Sequence, residues 1–96
     1  MTTVTLGRTG ITVNKNGFGA LPVQRVGKEE AAFLLKKAYD GGITFFDTAR
    51  AYTDSEEKLG YALASERSHI YIATKTMAQT AEQFWKDLET SLTLLK

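Results

Sequence analysis

The sequence predicts an α/β fold in which short parallel strands alternate with amphipathic helices, and three observations carry that expectation. Two apolar runs, at 43–46 and 70–74, break off abruptly into polar residues; helical periodicity fills the stretches around them; and a pair of short alternating runs precedes the whole pattern. Strand–helix alternation of this kind gives parallel strands joined by crossover helices.

Taken in order, Thr3-Val4-Thr5-Leu6 and Ile11-Thr12-Val13 alternate polar and apolar residues around Gly7-Arg8-Thr9-Gly10, the signature of a β-hairpin with a four-residue loop. Residues 14–17 read as a turn, and Phe18-Gly19-Ala20-Leu21 as a very short strand closed by Pro22. Proline at 22, where the third glycine of a dinucleotide-binding G-x-G-x-x-G loop belongs, removes a backbone donor and argues against that loop; Gly17 and Gly19 read instead as sites of close backbone approach to packing neighbours or a ligand. From Lys28, residues Ala31, Ala32, Leu34, Leu35, Ala38 and Tyr39 share one helical face, with Glu29 and Glu30 in the first turn and Gly41-Gly42 as the stop. The strand at 43–46 follows. Thr53-Asp54-Ser55-Glu56 matches a capping box opening a helix that buries Leu59, Ala62 and Leu63 and ends near Ser65. After the strand at 70–74, Thr80-Ala81-Glu82-Gln83 opens a third helix with Phe84, Leu88, Leu92 and Leu95 on one face.

The composition is that of an ordinary globular domain: 96 residues, 43% hydrophobic and 24% charged. A net charge of +1 with interspersed signs gives no basis for expecting nucleic acid or an anionic membrane as partner. No apolar run approaches the ~18 residues of a membrane-spanning helix, and the N-terminus lacks the basic-then-apolar order of a secretory signal. Zero cysteines exclude disulfides and thiolate-held metal within the chain. A cytoplasmic protein without a metal site is expected.

Two architectures accommodate the pattern, a barrel of eight βα units and an open doubly wound sheet. A hairpin before the first parallel strand suits a plug beneath a barrel, and polar chemistry directly after strands suits a barrel's upper rim. Three strands do not close a barrel, which takes about 250 residues. The expected fold is therefore part of a (β/α)8 TIM barrel, an N-terminal β-hairpin plus about three βα units. Residues 1–96 are expected to be an N-terminal fragment of the domain, whose open edge calls for the remainder of the barrel or for self-association.

The chemistry concentrates where the strands stop. Asp47 ends the first run, Tyr52 lies five residues on, and Lys75 ends the second run. A carboxylate, a phenol and an ammonium above one sheet edge make a device for giving a proton to a carbonyl oxygen: the ammonium favours the phenolate left behind, and the carboxylate keeps the ammonium charged. Each residue also has a plainer reading, Asp47 as a turn residue, Tyr52 as a loop tyrosine over the core, and Lys75 as a solvated or Schiff-base lysine. His69 reads as a surface residue before its strand, Phe84 and Trp85 as helix packing, Tyr39 and Tyr61 as core or rim residues, and Arg50 as a solvated loop arginine.

Leu6-Gly7-Arg8-Thr9-Gly10-Ile11-Thr12-Val13, Gly17-Phe18-Gly19-Ala20, Gly42-Ile43-Thr44-Phe45-Phe46-Asp47-Thr48-Ala49, Tyr52, Ser55-Glu56 with Leu59-Gly60, and Ala73-Thr74-Lys75 together resemble the aldo-keto reductases, in that family's order and over essentially the whole chain. The resemblance implies the first third or so of a (β/α)8 barrel that reduces an aldehyde or ketone with NADPH or NADH, acting on a small-molecule carbonyl substrate. It implies Asp47, Tyr52 and Lys75 as three of four catalytic residues, with Gly19, Ala20 and Asp47 near the nicotinamide. The family's catalytic histidine has no counterpart among these residues, since His69 precedes its strand. The same family fold also serves as a non-catalytic cofactor-sensing subunit of potassium channels, and an assembling or truncated module is a further alternative.

Overall fold

The computed structural model describes residues 2–96. Its first layer is the expected hairpin, β1 (Thr3–Thr5) against β2 (Thr12–Asn14), antiparallel with Val4 opposite Val13. Leu6 N–H donates to Ile11 O at 2.9 Å and so closes the four-residue loop; Gly7 and Gly10 supply the left-handed turns at φ 55 and 76. Asn14 Nδ2 donates to Gly42 O at 3.3 Å, which ties the hairpin to the chain just before the central parallel strand.

Three strands then form a parallel sheet in sequence order, β3 (Phe18–Gly19), β4 (Phe45–Asp47) and β5 (Tyr71–Ala73). In register, Phe18 faces Phe46 and Phe46 faces Ile72, while Gly19, Asp47 and Ala73 make one row at the C-terminal ends. The hairpin thus lies at the N-terminal ends of the parallel strands, as the plug reading expects. No barrel closes among the described residues.

Helix α1 (Lys28–Asp40) joins β3 to β4, α2 (Ser55–Leu63) joins β4 to β5, and α3 (Ala81–Leu95) follows β5. Their inner faces and the sheet enclose Leu35, Phe46, Leu59, Leu63, Ile70 and Leu95. Full burial of such side chains contributes about 1.5–3 kcal/mol each relative to leaving them exposed.

Several details differ from expectation, and the strand expected at 70–74 is shortened to 71–73. The strand at 43–46 is displaced to 45–47 because α1 ends in a Schellman turn: Gly42, at φ 106, donates to Tyr39 O and Ile43 donates to Ala38 O, so Ile43 belongs to the helix stop. Ala20 and Leu21 are not strand, since Pro22 starts a 3-10 turn over Leu21–Arg25. Helix α2 stops at Leu63, short of the expected Ser65, and Ala64–His69 form a second 3-10 turn.

A further difference is at α2, where the capping box does not form. Neither Thr53 nor Asp54 caps the helix with its side chain; Thr53 takes a left-handed φ of 44 and Glu56 turns inward. At α3 the expected cap does form, with Thr80 Oγ1 accepting from Gln83 N at 3.1 Å.

Helix α3 is rotated from the expected face. Ser91 and Leu95 are buried, whereas Leu92 and Phe84 remain 63% and 44% exposed. At Gly60 a Cβ would lie 1.8 Å from the Leu94 carbonyl oxygen, so α2 and α3 touch backbone to backbone at that point. Helix propensity alone makes Gly60→Ala stabilising by about 1 kcal/mol. The contact reverses the sign, and urea denaturation is expected to show Gly60→Ala destabilised by about 1–3 kcal/mol, the usual cost of overpacking.

Candidate active site

Backbone pairing continues past the strands and knits their C-terminal ends together. Ala20 N donates to Asp47 O at 2.8 Å, Thr48 N to Ala73 O at 2.8 Å and Arg50 N to Lys75 O at 2.9 Å. Into this rim the sequence delivers its three predicted side chains. Lys75 Nζ donates to Asp47 Oδ2 at 3.1 Å and to Thr48 O at 2.6 Å, and it stands 5.1 Å from the centroid of the Tyr52 ring. Carboxylate, ammonium and phenol ring are therefore in one contact group. The Asp47–Lys75 pair is open to water, with side chains 45% and 52% exposed, so it contributes about 0–1 kcal/mol to stability.

Gly19 lies exposed beside Asp47, and a Cβ built on it meets nothing within 4 Å. Ala20 lies beneath it, fully buried, with its N–H used by Asp47 O and its carbonyl accepting from Ser55 Oγ at 3.1 Å. His69 is exposed ahead of β5, at the opposite end of the sheet.

Underneath this open rim is a buried polar cluster that sequence reasoning missed. Ser55, Glu56 and Lys58, all in the first turn of α2, are 0%, 1% and 4% exposed. The Thr48 hydroxyl meets the Ser55 hydroxyl at 2.7 Å, and Ser55 donates onward to Ala20 O. Glu56 accepts from Thr74 Oγ1 at 2.7 Å and pairs with Arg50 Nη1 at 2.8 Å. Lys58 Nζ donates to Val23 O at 2.8 Å and Val26 O at 2.6 Å and pairs with Asp54 at 3.0 Å, which uses all three of its N–H groups. Arg50, read from sequence as a solvated loop residue, is instead the partner of a buried carboxylate. The signal available in sequence was a Ser-Glu pair in a helix's first turn, which cap chemistry explained too readily.

Removing one member of a buried ion pair costs about 3–5 kcal/mol when the other charge stays buried. Arg50 keeps 22% side-chain exposure and can be partly rehydrated, so Glu56→Ala is expected at the lower end of that range by chemical denaturation. Asp47→Asn, at the exposed pair, is expected to change stability by less than about 1 kcal/mol.

Behind Lys75, the Thr76 hydroxyl donates to Asp87 Oδ2, and Gln83 Nε2 donates to Asp87 Oδ1 at 2.9 Å. Those hydrogen bonds, Thr76 first, hold the Asp87 carboxyl below the usual 3.8, and Lys58 does the same for Asp54. A carboxyl whose folded pKa is depressed stabilises the fold above its unfolded pKa and loses that contribution as pH falls through the lower folded value. The melting temperature is therefore expected to fall below about pH 4. Asp87→Asn, followed by calorimetry across that range, is expected to flatten the fall.

Residues 14–96 match the Aldo/keto reductase family. The chain belongs to this family. As an aldo-keto reductase chain it is 40% identical over 79 residues to L-galactose dehydrogenase of Arabidopsis thaliana, an alignment covering 73% of the chain and 25% of that protein. It is 34% identical over 77 residues to a probable voltage-gated potassium channel subunit beta of Oryza sativa, covering 73% of the chain and 24% of the relative. Among solved structures, an aldo-keto reductase from Pseudomonas aeruginosa superimposes with a TM-score of 0.86 at 35% identity, over 97% of this chain and 41% of that one. That relative is a (β/α)8 barrel, and the parallel sheet and helices described above correspond to part of it. The chain spans about a quarter of the length of these two curated relatives.

Proposed function

We propose that this chain carries the proton-donating corner of an NADPH- or NADH-dependent carbonyl reductase, converting an aldehyde or ketone to an alcohol. The observation that supports this best is the single contact group of Asp47, Lys75 and Tyr52 at the C-terminal ends of parallel strands, where barrels of this kind keep their chemistry. Tyr52 gives its phenolic proton to the carbonyl oxygen as negative charge develops there. The ammonium of Lys75, over the ring, favours the phenolate that remains. Asp47 and the Thr48 carbonyl hold that ammonium in place.

The rim also suits a nicotinamide: Gly19 offers open space next to a half-exposed carboxylate, with the satisfied backbone of Ala20 as its floor. Gly19, Ala20 and Asp47 would hold it. When bound, a dihydronicotinamide supplies the hydride that the carbonyl carbon takes up.

In this reading residues 1–96 are the N-terminal part of a barrel domain in a cytoplasmic oxidoreductase, and the 96 residues by themselves turn over no aldehyde. Grafting them in place of the matching segment of the Pseudomonas aeruginosa relative should give a chimaera that oxidises NADPH with a simple aldehyde. In that chimaera Tyr52→Phe is expected to lower kcat by about 10²–10⁴-fold while cofactor binding is kept. A Tyr52→Phe chimaera that retains its rate would remove Tyr52 from the role. The similarity to a potassium channel subunit favours a second reading, a cofactor-binding relative that senses rather than catalyses; a chimaera that binds NADPH without turnover would select it.

A further inference from the structure

Tyr52 sits in a loop whose far side is tied to an element that the chemistry above does not use. The residue after it, Thr53, is β-branched yet holds a left-handed φ of 44, which bulky residues avoid unless their surroundings impose it. Three bonds surround it, two within the loop and one reaching outside it. Thr53 Oγ1 lies 2.9 Å from Gln24 Oε1 and 3.2 Å from Asp54 Oδ1, and Arg50 Nη2 donates to Thr53 O at 3.3 Å. The hydroxyl has one proton to give, and Gln24 is the nearer acceptor.

Gln24 belongs to the 3-10 turn Leu21–Arg25 that follows β3. That turn is itself pinned from below, because buried Lys58 donates to Val23 O on one side of Gln24 and to Val26 O on the other. A buried ammonium is tolerated only when its donors are all matched, so the turn has one position relative to α2. Gln24 is then presented at a fixed point, and Thr53 is latched to it.

We infer that Gln24 and Thr53 are positioning residues for Tyr52. On this account the latch between the first and second strand-end loops, anchored by Lys58, keeps the Tyr52 ring beneath the Lys75 ammonium. The inference rests on the proposed role of Tyr52, and its mechanism is geometric: without the latch Thr53 relaxes from its left-handed conformation, and the ring turns away from Lys75.

The test is an NMR measurement on the whole chain. With Nζ 5.1 Å from the ring centroid, the ε-methylene protons of Lys75 should be displaced upfield by the ring current. Gln24→Ala and Thr53→Val are each expected to lose most of that displacement with the melting temperature nearly unchanged, because both sites lie at the rim. Gln24→Glu keeps an acceptor for the Thr53 hydroxyl and is expected to retain it, which a purely structural role for the turn would not distinguish from alanine. Full displacement persisting in both Gln24→Ala and Thr53→Val would overturn the latch while leaving the chimaera test of Tyr52 untouched. An undisplaced Lys75 in the unmodified chain would overturn the latch together with the contact group it serves.

Discussion

The first turn of one helix holds three strand ends in place. Ser55 reaches the end of β3 through Ala20 and the end of β4 through Thr48; Glu56 reaches the end of β5 through Thr74 and the second loop through Arg50; Lys58 reaches the turn after β3. Ser55, Glu56 and Lys58 are all buried. Buried charge of this kind is costly unless every donor and acceptor is matched. The matching here fixes where each loop stands relative to the others, and the placement of Asp47, Tyr52 and Lys75 depends on it.

The contrast between the buried layer and the layer above it explains the division of labour. Asp47 and Lys75 lie about half in water, and their pairing adds little to folding. Their geometry comes from below: the Thr48 carbonyl that accepts from Lys75 belongs to the residue whose hydroxyl contacts Ser55. Tyr52 hangs between turn bonds at Ala49 O and Ser55 N, so its entry and exit are also set by α2. The rim can present polar, partly hydrated groups because the layer beneath carries the structural constraint. Helix packing has a parallel constraint at Gly60, where the approach of α3 leaves no room for a side chain.

The elements were legible in the sequence because their signals are local. Gly7 and Gly10 around a four-residue loop, Gly41-Gly42 after an amphipathic run, and Thr80 before Phe84 each mark a backbone event within a few residues, and each event is present. The convergence of Asp47, Tyr52 and Lys75 was legible through strand ends and through the family's ordered motifs. What was not legible depends on partners far along the chain. Thr53-Asp54-Ser55-Glu56 has the spacing of a capping box, yet Thr53 bonds Gln24 and Glu56 bonds Thr74 and Arg50, long-range choices that outcompete the local cap. The face of α3 likewise involves another helix, where Gly60 meets the Leu94 backbone.

The most direct test is native-state hydrogen exchange of the backbone amides at the strand ends. If the α2 cluster holds the three ends as one unit, the amides of Ala20, Thr48 and Arg50 exchange as slowly as those of Phe46 and Tyr71 inside the sheet, and Glu56→Ala speeds the Thr48 and Arg50 amides more than the Phe46 amide. Fast exchange at Ala20, Thr48 and Arg50 in the unmodified chain, with Phe46 protected, would mean that the rim opens independently and that the buried cluster does not organise it.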